Sequence, residues 1–113
     1  MDSSRFPEGG QYFIIEEDGM PVGCVGLEEA AAGTCYVERL TVLPAFRGRG
    51  LGRRLLSHAA ECAMHLGSSR LEVGIISDDV RLRDWYARYG FVVTGTRRFP
   101  HLPFEVTFMA KDI

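Results

Sequence analysis

The sequence predicts an α/β fold, a single domain in which a mixed, mostly antiparallel sheet of about six strands packs against two main helices. Three observations predict it. The first 43 residues carry β-branched and aromatic runs broken by turn residues, residues 50–66 change to a helical period, and residues 71–109 alternate strand, helix and strands. At 113 residues, 46% hydrophobic and 25% charged, the chain has apolar material for one core and no second domain.

Residues 1–10 are polar and contain Gly and Pro, so they read as a loose arm. Tyr12-Phe-Ile-Ile15 is a β-rich run stopped by Glu16-Glu-Asp-Gly19, and Pro21-Val-Gly-Cys-Val-Gly-Leu27 resumes it. The pair predicts an antiparallel hairpin about a turn near Asp18-Gly19. After the small residues Ala30–Gly33, Thr34–Leu43 is a third strand that Pro44 ends. At about 100° per residue, Leu51, Leu55, Leu56, Ala59, Cys62, Ala63 and Leu66 fall within an arc of about 140°, with Arg53, Arg54, Ser57 and Glu61 opposite. That is an amphipathic helix with Gly67 as its stop. Leu71–Ile76 is the next strand, which implies a right-handed parallel crossover. Ser77-Asp78-Asp79 offers an N-cap for a helix carrying Val80, Leu82, Trp85, Tyr86 and Tyr89 and ending at Gly90. Phe91–Gly95 and Phe104–Met109 close the sheet, joined by a loop containing Pro100-His-Leu-Pro103.

Charge is distributed unevenly along the chain. The net charge is -2, but residues 1–46 hold 8 acids and 2 bases while residues 47–113 hold 11 bases and 7 acids. The second half therefore suits an anionic partner. Twelve of the 13 basic residues are Arg, which favours bidentate phosphate contact, although a codon bias gives the same count. Three cysteines, odd in number and without CxxC spacing, read as reduced core residues of a cytoplasmic protein. No leader pattern opens the chain, and no window approaches the roughly 18–20 apolar residues of a membrane span.

The chemical signal lies in Val42-Leu-Pro-Ala-Phe-Arg-Gly-Arg-Gly-Leu-Gly-Arg-Arg-Leu-Leu56, a strand, a proline turn and a glycine-rich helix entry. Glycines let consecutive amides converge, and the helix N-terminus adds unpaired donors, so the segment suits a phosphate. Arg47, Arg49, Arg53 and Arg54 fall in eight residues without an acid. A P-loop would need GxxxxGK[ST], and GxGxxG is also unmet. Direct nucleic-acid binding fits poorly, because the chain is acidic overall and the helix has no base-reading stripe. His58, Cys62 and His65 have i, i+4, i+7 spacing, but Cys62 falls inside the apolar stripe, which favours packing over a metal.

Arg47-Gly-Arg-Gly50-Leu-Gly52 after Leu40-Thr-Val-Leu-Pro44, followed by Tyr86-Ala-Arg-Tyr-Gly90-Phe91, resembles the R-x-x-G-x-G and Y-x-x-x-G-F motifs of the GNAT superfamily of acetyl-CoA-dependent N-acetyltransferases. The resemblance covers roughly residues 11–110. It implies acetyl-CoA as cosubstrate and transfer of its acetyl group to a primary amine by direct attack. It further implies that amides of Arg47, Gly48, Arg49, Gly50, Leu51 and Gly52 hold the pyrophosphate. The main chain of Leu40 and Val42 would pair with the pantetheine arm, and Tyr86 would be the general acid. A phenol with pKa near 10 rests protonated at neutral pH and is a suitable donor to a forming thiolate.

The amine must also lose a proton. Glu38, two residues before Leu40 and expected on the same strand face, is the candidate base; Glu72 on the neighbouring strand and water are alternatives. His101 is a further acid or base candidate in a loop that reaches toward the acceptor, and Trp85 and Tyr89 are packing aromatics or part of the acceptor wall. Asp79 stands where the superfamily often has Asn, which points to a helix cap and not a cofactor contact. About ten residues precede Tyr12, where family members carry a strand and two helices, so an N-terminally abbreviated version with a reduced acceptor side is expected. The alternative is a non-catalytic acyl-CoA-binding or regulatory module. The expected partners are acetyl-CoA and an amine, with no nucleic acid and no membrane; a homodimer, in which a second copy supplies the missing wall, is a further expectation.

Overall fold

The computed structural model describes residues 2–5 and 11–113. Its strands are β1 (Asp2–Arg5), β2 (Gln11–Glu17), β3 (Met20–Ala31), β4 (Thr34–Val42), β5 (Arg70–Ile76), β6 (Val92–Arg98) and β7 (Glu105–Asp112). The helices are α1 (Leu51–His65) and α2 (Val80–Arg88), with a short 3-10 turn at Pro44–Phe46. All strands join one sheet in the order β1-β2-β3-β4-β5-β7-β6. Every neighbouring pair is antiparallel except β4 and β5, which α1 connects.

The expected mixed sheet with two helices is therefore the fold, with one strand added at its margin. Asp2–Arg5, inside the segment expected to be a loose arm, pairs with Gln11–Ile14 as an edge strand. The other residues of that arm, 1 and 6–10, lie outside the described residues. Nothing in the polarity of residues 2–5 signals a strand; a neighbour's free backbone edge can recruit almost any extended segment.

The β2–β3 hairpin turns at Asp18 and Gly19, both at positive φ, which matches the right-handed twist of the strands beside it. β3 runs on past Leu27 to Ala31, because Glu28 and Glu29 find partners in Tyr36 and Cys35 of β4, and the turn contracts to Ala32-Gly33. The core forms between one sheet face and the apolar stripe of α1. Val25 and Leu27 of β3, Cys35 and Val37 of β4, and Leu71 and Val73 of β5 meet Leu51, Leu55, Ala59 and Ala63. Burying one such leucine contributes about 2 kcal/mol. Tyr86 of α2 and Phe91 extend the same core. Cys62 and His58 are packing neighbours within α1, 3.5 Å apart, with His58 edge-on to Phe13.

Asp79 caps α2, its Oδ1 accepting from the Leu82 N–H at 3.1 Å. Removing that acceptor leaves a first-turn amide without a partner. Asp79→Ala is expected to lower stability by about 1 kcal/mol in urea unfolding and to leave ligand affinity unchanged.

The register of β4 changes midway. Cys24 and Gly26 of β3 oppose Thr41 and Glu38, so β4 spends one extra residue there, and Arg39 takes a φ of 51°. This bulge overturns the expectation that Glu38 and Leu40 share a face. Strict alternation holds from Cys35 to Glu38, and the extra residue then flips the phase, so that Leu40 and Val42 pack against the core. Glu38 stays with Tyr36 on the opposite face.

Candidate active site

β4 and β5 pair only at Thr34↔Arg70, Cys35↔Leu71 and Tyr36↔Glu72. Beyond Tyr36, β4 continues through Val42 bonded only to β3, and β5 continues through Ile76 bonded only to β7. The parallel pair thus parts into a cleft whose β4 wall carries unpaired backbone groups. The Arg39 bulge lies on that wall, and bulges bend a strand and sharpen its twist. Leu40 and Val42, the residues expected to present their main chain to an extended ligand, belong to this unpaired stretch.

The cleft leads to the N-terminus of α1. Gly48 and Gly50 have φ of 81° and 78°, a region other residues enter at a cost, and a Cβ at either would meet nothing within 4 Å. Their glycines serve backbone shape alone. Gly50 is the N-cap and has no side chain to bond the first-turn amides. The first helical bond is Arg54 N–H to the Gly50 carbonyl at 3.1 Å, so the amides of Leu51, Gly52 and Arg53 precede the helical ladder. Arg47's amide is already directed to Pro44, at 3.4 Å, which sets it apart from the other amides expected to bind phosphate. Its side chain ties the loop to the strand, Nε donating to the Val42 carbonyl at 2.9 Å. Arg49 turns toward Glu17 at 3.4 Å and stands 5.1 Å over the Phe46 ring. Gly52 has a different role: a Cβ there would come within 3.1 Å of the Trp85 ring, so it lets α2 approach α1.

This arrangement fits the diphosphate and extended arm of coenzyme A: a glycine-shaped helix entry with unladdered amides at one end of an open strand edge. Gly50→Val places a β-branched residue in the left-handed region, which costs about 1–2 kcal/mol there. It is expected to raise the Kd for CoA at least tenfold in isothermal titration.

On the face away from α1, the strand registers bring four side chains together. Tyr36 is opposite Glu28 on β3 and Glu72 on β5, and Glu38 is the next residue along β4 on the same face. Burial foremost, then the charges of Glu38 and Glu72, raise the Tyr36 phenol above its ordinary value. Burial also raises the Glu38 carboxyl, helped by a hydrogen bond to and repulsion from Glu28 and opposed by Arg39. Glu72 is ion-paired with Arg70 at 3.4 Å. Glu38 therefore lies just past the last β4–β5 pair, at the mouth of the cleft, while Glu72 is engaged.

Tyr86, on α2, lies near enough to Tyr36 for the two phenols to influence one another. It is buried, edge-on to Phe91 with centroids 5.2 Å apart, and packed beside Trp85. Burial, with a smaller contribution from Tyr36, pushes its phenol up to about 12. Trp85 and Tyr89 form an edge-on pair over the α1 entry and pack against the core. His101 is exposed in the β6–β7 loop and lines a cavity with Tyr36.

Tyr36 and Glu28 were not singled out from sequence, and neither was Gly74. The Tyr36 hydroxyl occupies the position into which a Cβ on residue 74 would project, so that glycine makes room for the phenol between β4 and β5. The available signal was a glycine inside an apolar strand, which marks close approach by another group.

A model of the acetyltransferase (GNAT) family matches residues 2–91. The amino-acid acetyltransferase of Neisseria meningitidis is 31% identical over 91 residues, which cover 80% of this chain and 20% of that protein. The chain thus spans about a fifth of the length of that relative. Among solved structures, the IAA acetyltransferase from Bacillus cereus superposes with a TM-score of 0.84 at 24% identity, covering 92% of this chain and 78% of that one. A GNAT family acetyltransferase from Elizabethkingia anophelis with acetyl-CoA bound gives 0.86 at 18% identity, covering 92% and 76%. The glycine loop at the α1 entry, the cleft between β4 and β5 and a family match over most of the chain agree: this protein belongs to the GNAT family of acetyltransferases.

Proposed function

We infer that the protein transfers an acetyl group from acetyl-CoA to a primary amine by direct attack. The observation that carries this reading is the cleft between β4 and β5, with the α1 glycine loop at one end and Glu38 just past the last strand pair. Acetyl-CoA supplies the activated acetyl group as a thioester. The amides of Gly48 through Gly52, assisted by the positive end of α1, hold its diphosphate. The free edge of β4 at Leu40 and Val42 aligns its extended arm as a neighbouring strand would, and a backbone N–H there faces the charge that develops on the thioester oxygen.

Glu38 takes the proton of the incoming ammonium, directly or through water. Its raised affinity for a proton makes it a stronger base than an ordinary carboxylate. The nitrogen forms its bond to the acetyl carbon as the carbon–sulfur bond breaks, the Tyr86 hydroxyl gives its proton to the departing sulfur, and the phenolate recovers a proton from the acylated nitrogen, directly or through water, leaving the neutral amide and the free thiol. With a phenol near 12, Tyr86 holds that proton throughout the neutral range. No cysteine is needed as a nucleophile.

A homodimer is part of this reading. β6 is the edge strand opposite β1, exposed along its length, with Val92 65% exposed, and a second copy would cover it. The free cysteines support a cytoplasmic setting, and no helix among the described residues is long and apolar enough to cross a membrane.

The test is release of free thiol from acetyl-CoA by the purified protein across a panel of primary amines. Amine-dependent release is the expected result. CoA binding without release from any amine, together with no effect of Tyr86→Phe, is the result for an acyl-CoA-binding module. Failure to bind CoA contradicts both.

A further inference from the structure

On the face of the sheet away from α1, the β6–β7 loop and the ends of β5 and β7 line an open pocket of about 410 Å³. The loop contributes Phe99, Leu102 and Phe104; the sheet contributes Ile76, Phe108 and Tyr36. Phe99 stands edge-on to Phe108 with centroids 6.3 Å apart, and Pro100 and Pro103 stiffen the loop that carries the aromatics. The volume lies within the range of small-molecule sites.

Two features connect this cavity to the cleft. Tyr36 and Gly74 line it, and they stand where β4 and β5 part. Glu28 and Glu72 flank Tyr36 on the neighbouring strands and Glu38 follows it toward the cleft, a group of carboxylates that attracts a cation. Around the cavity itself the lining holds no Arg, Lys, Asp or Glu. The Arg97 guanidinium stands 5.1 Å over the face of the Phe99 ring. A molecule spanning both regions therefore has a cationic head at Glu38 and an uncharged, apolar body among the phenylalanines. A carboxylate next to its amine would face the three glutamates.

We propose that the acceptor is an arylalkylamine, a primary amine carrying an aromatic group on a short alkyl arm and no carboxylate, with its ring in the pocket lined by Phe99, Phe104 and Phe108. This rests on the reading of the chain as an amine acetyltransferase. Each methylene equivalent moved from water into such a lining is worth about fourfold in affinity, so the ring separates this class from small polar amines by well over an order of magnitude.

The test is isothermal titration of 2-phenylethylamine, ethanolamine and L-phenylalanine into the full chain saturated with CoA, beside thiol release from acetyl-CoA with the same amines. The expected result is that 2-phenylethylamine binds at least 30-fold more tightly than ethanolamine and at least tenfold more tightly than L-phenylalanine, with kcat/KM in the same order. Phe104→Asp, at a loop position outside the proposed catalytic set, is expected to abolish the preference over ethanolamine and to leave the preference over L-phenylalanine, which the glutamates set, while CoA affinity stays within twofold. Phe104→Leu, which keeps an apolar wall and guards against a folding failure, retains both preferences within threefold. Thiol release without these preferences, or with L-phenylalanine preferred, overturns the acceptor class and leaves the transferase reading standing. Selective binding without thiol release from any amine overturns the acceptor assignment together with that reading.

Discussion

Tyr86→Phe is expected to lower kcat at neutral pH by about 10²–10³-fold and to leave the Kd for CoA within about threefold. The substitution removes one hydroxyl and keeps the ring that packs edge-on to Phe91 and Trp85, so the core contribution of residue 86 survives. What is lost is the proton donor on the leaving-group side. Because burial pushes this phenol up to about 12, its protonated form persists across the neutral range. The wild-type rate is accordingly expected to show no alkaline fall from Tyr86 below that pH. The check is a kcat profile of wild type and variant, with urea unfolding to confirm that stability changes little. Equal rates for the two proteins would remove Tyr86 from the chemistry.

The second large effect concerns Glu38. Glu38→Gln is expected to lower kcat/KM for the amine by about 10²-fold, because an amide of the same shape cannot accept the ammonium proton. The pair with Glu28 gives a sharper test. Burial and Glu28 raise the Glu38 carboxyl, so its base form appears only as pH climbs past a value above the ordinary carboxylate range. Activity is expected to rise with pH through that limb. Glu28→Gln removes the repulsion, and the limb is expected to move to lower pH with the plateau rate retained. The sign is fixed: a neighbouring negative charge raises a carboxyl's proton affinity, and its removal lowers it. An unmoved limb in Glu28→Gln, or a wild-type rate in Glu38→Gln, would transfer the role to water.

How much of this was legible in sequence follows from how local each feature is. The α1 stripe, the Asp18-Gly19 turn, the Asp79 cap and the glycine loop are each written in a few adjacent residues, and each is present in the structure. The Arg39 bulge is not local. No glycine or proline within β4 marks it, and the extra residue shows only in the register between β3 and β4 and in the φ of Arg39. Alternation therefore put Leu40 on the same face as Glu38, and the bulge separates them. The Tyr36, Glu28, Glu38 and Glu72 group was hidden for the same reason, since it is assembled across three strands whose pairing no single segment encodes. Glu28 was further concealed because Ala30, Ala31, Ala32 and Gly33 read as a longer turn than the one that forms. The third motif glycine shows the reverse case. Its spacing suggested phosphate, and its surroundings show a close approach of Trp85.

The central claim is that the parting of β4 from β5, continuous with the α1 entry, is where acetyl-CoA binds and where its thioester meets the amine. The most direct measurement is a titration of the ¹⁵N-labelled protein with CoA, following each backbone amide by NMR. Saturable shifts are expected at Leu40 and Val42 on the free edge of β4 and at Gly48, Gly50, Leu51 and Gly52 at the helix entry, with β2 and β6 undisturbed. Shifts confined to the exposed arginines of α1, or spread without saturation over its cationic surface, would contradict it.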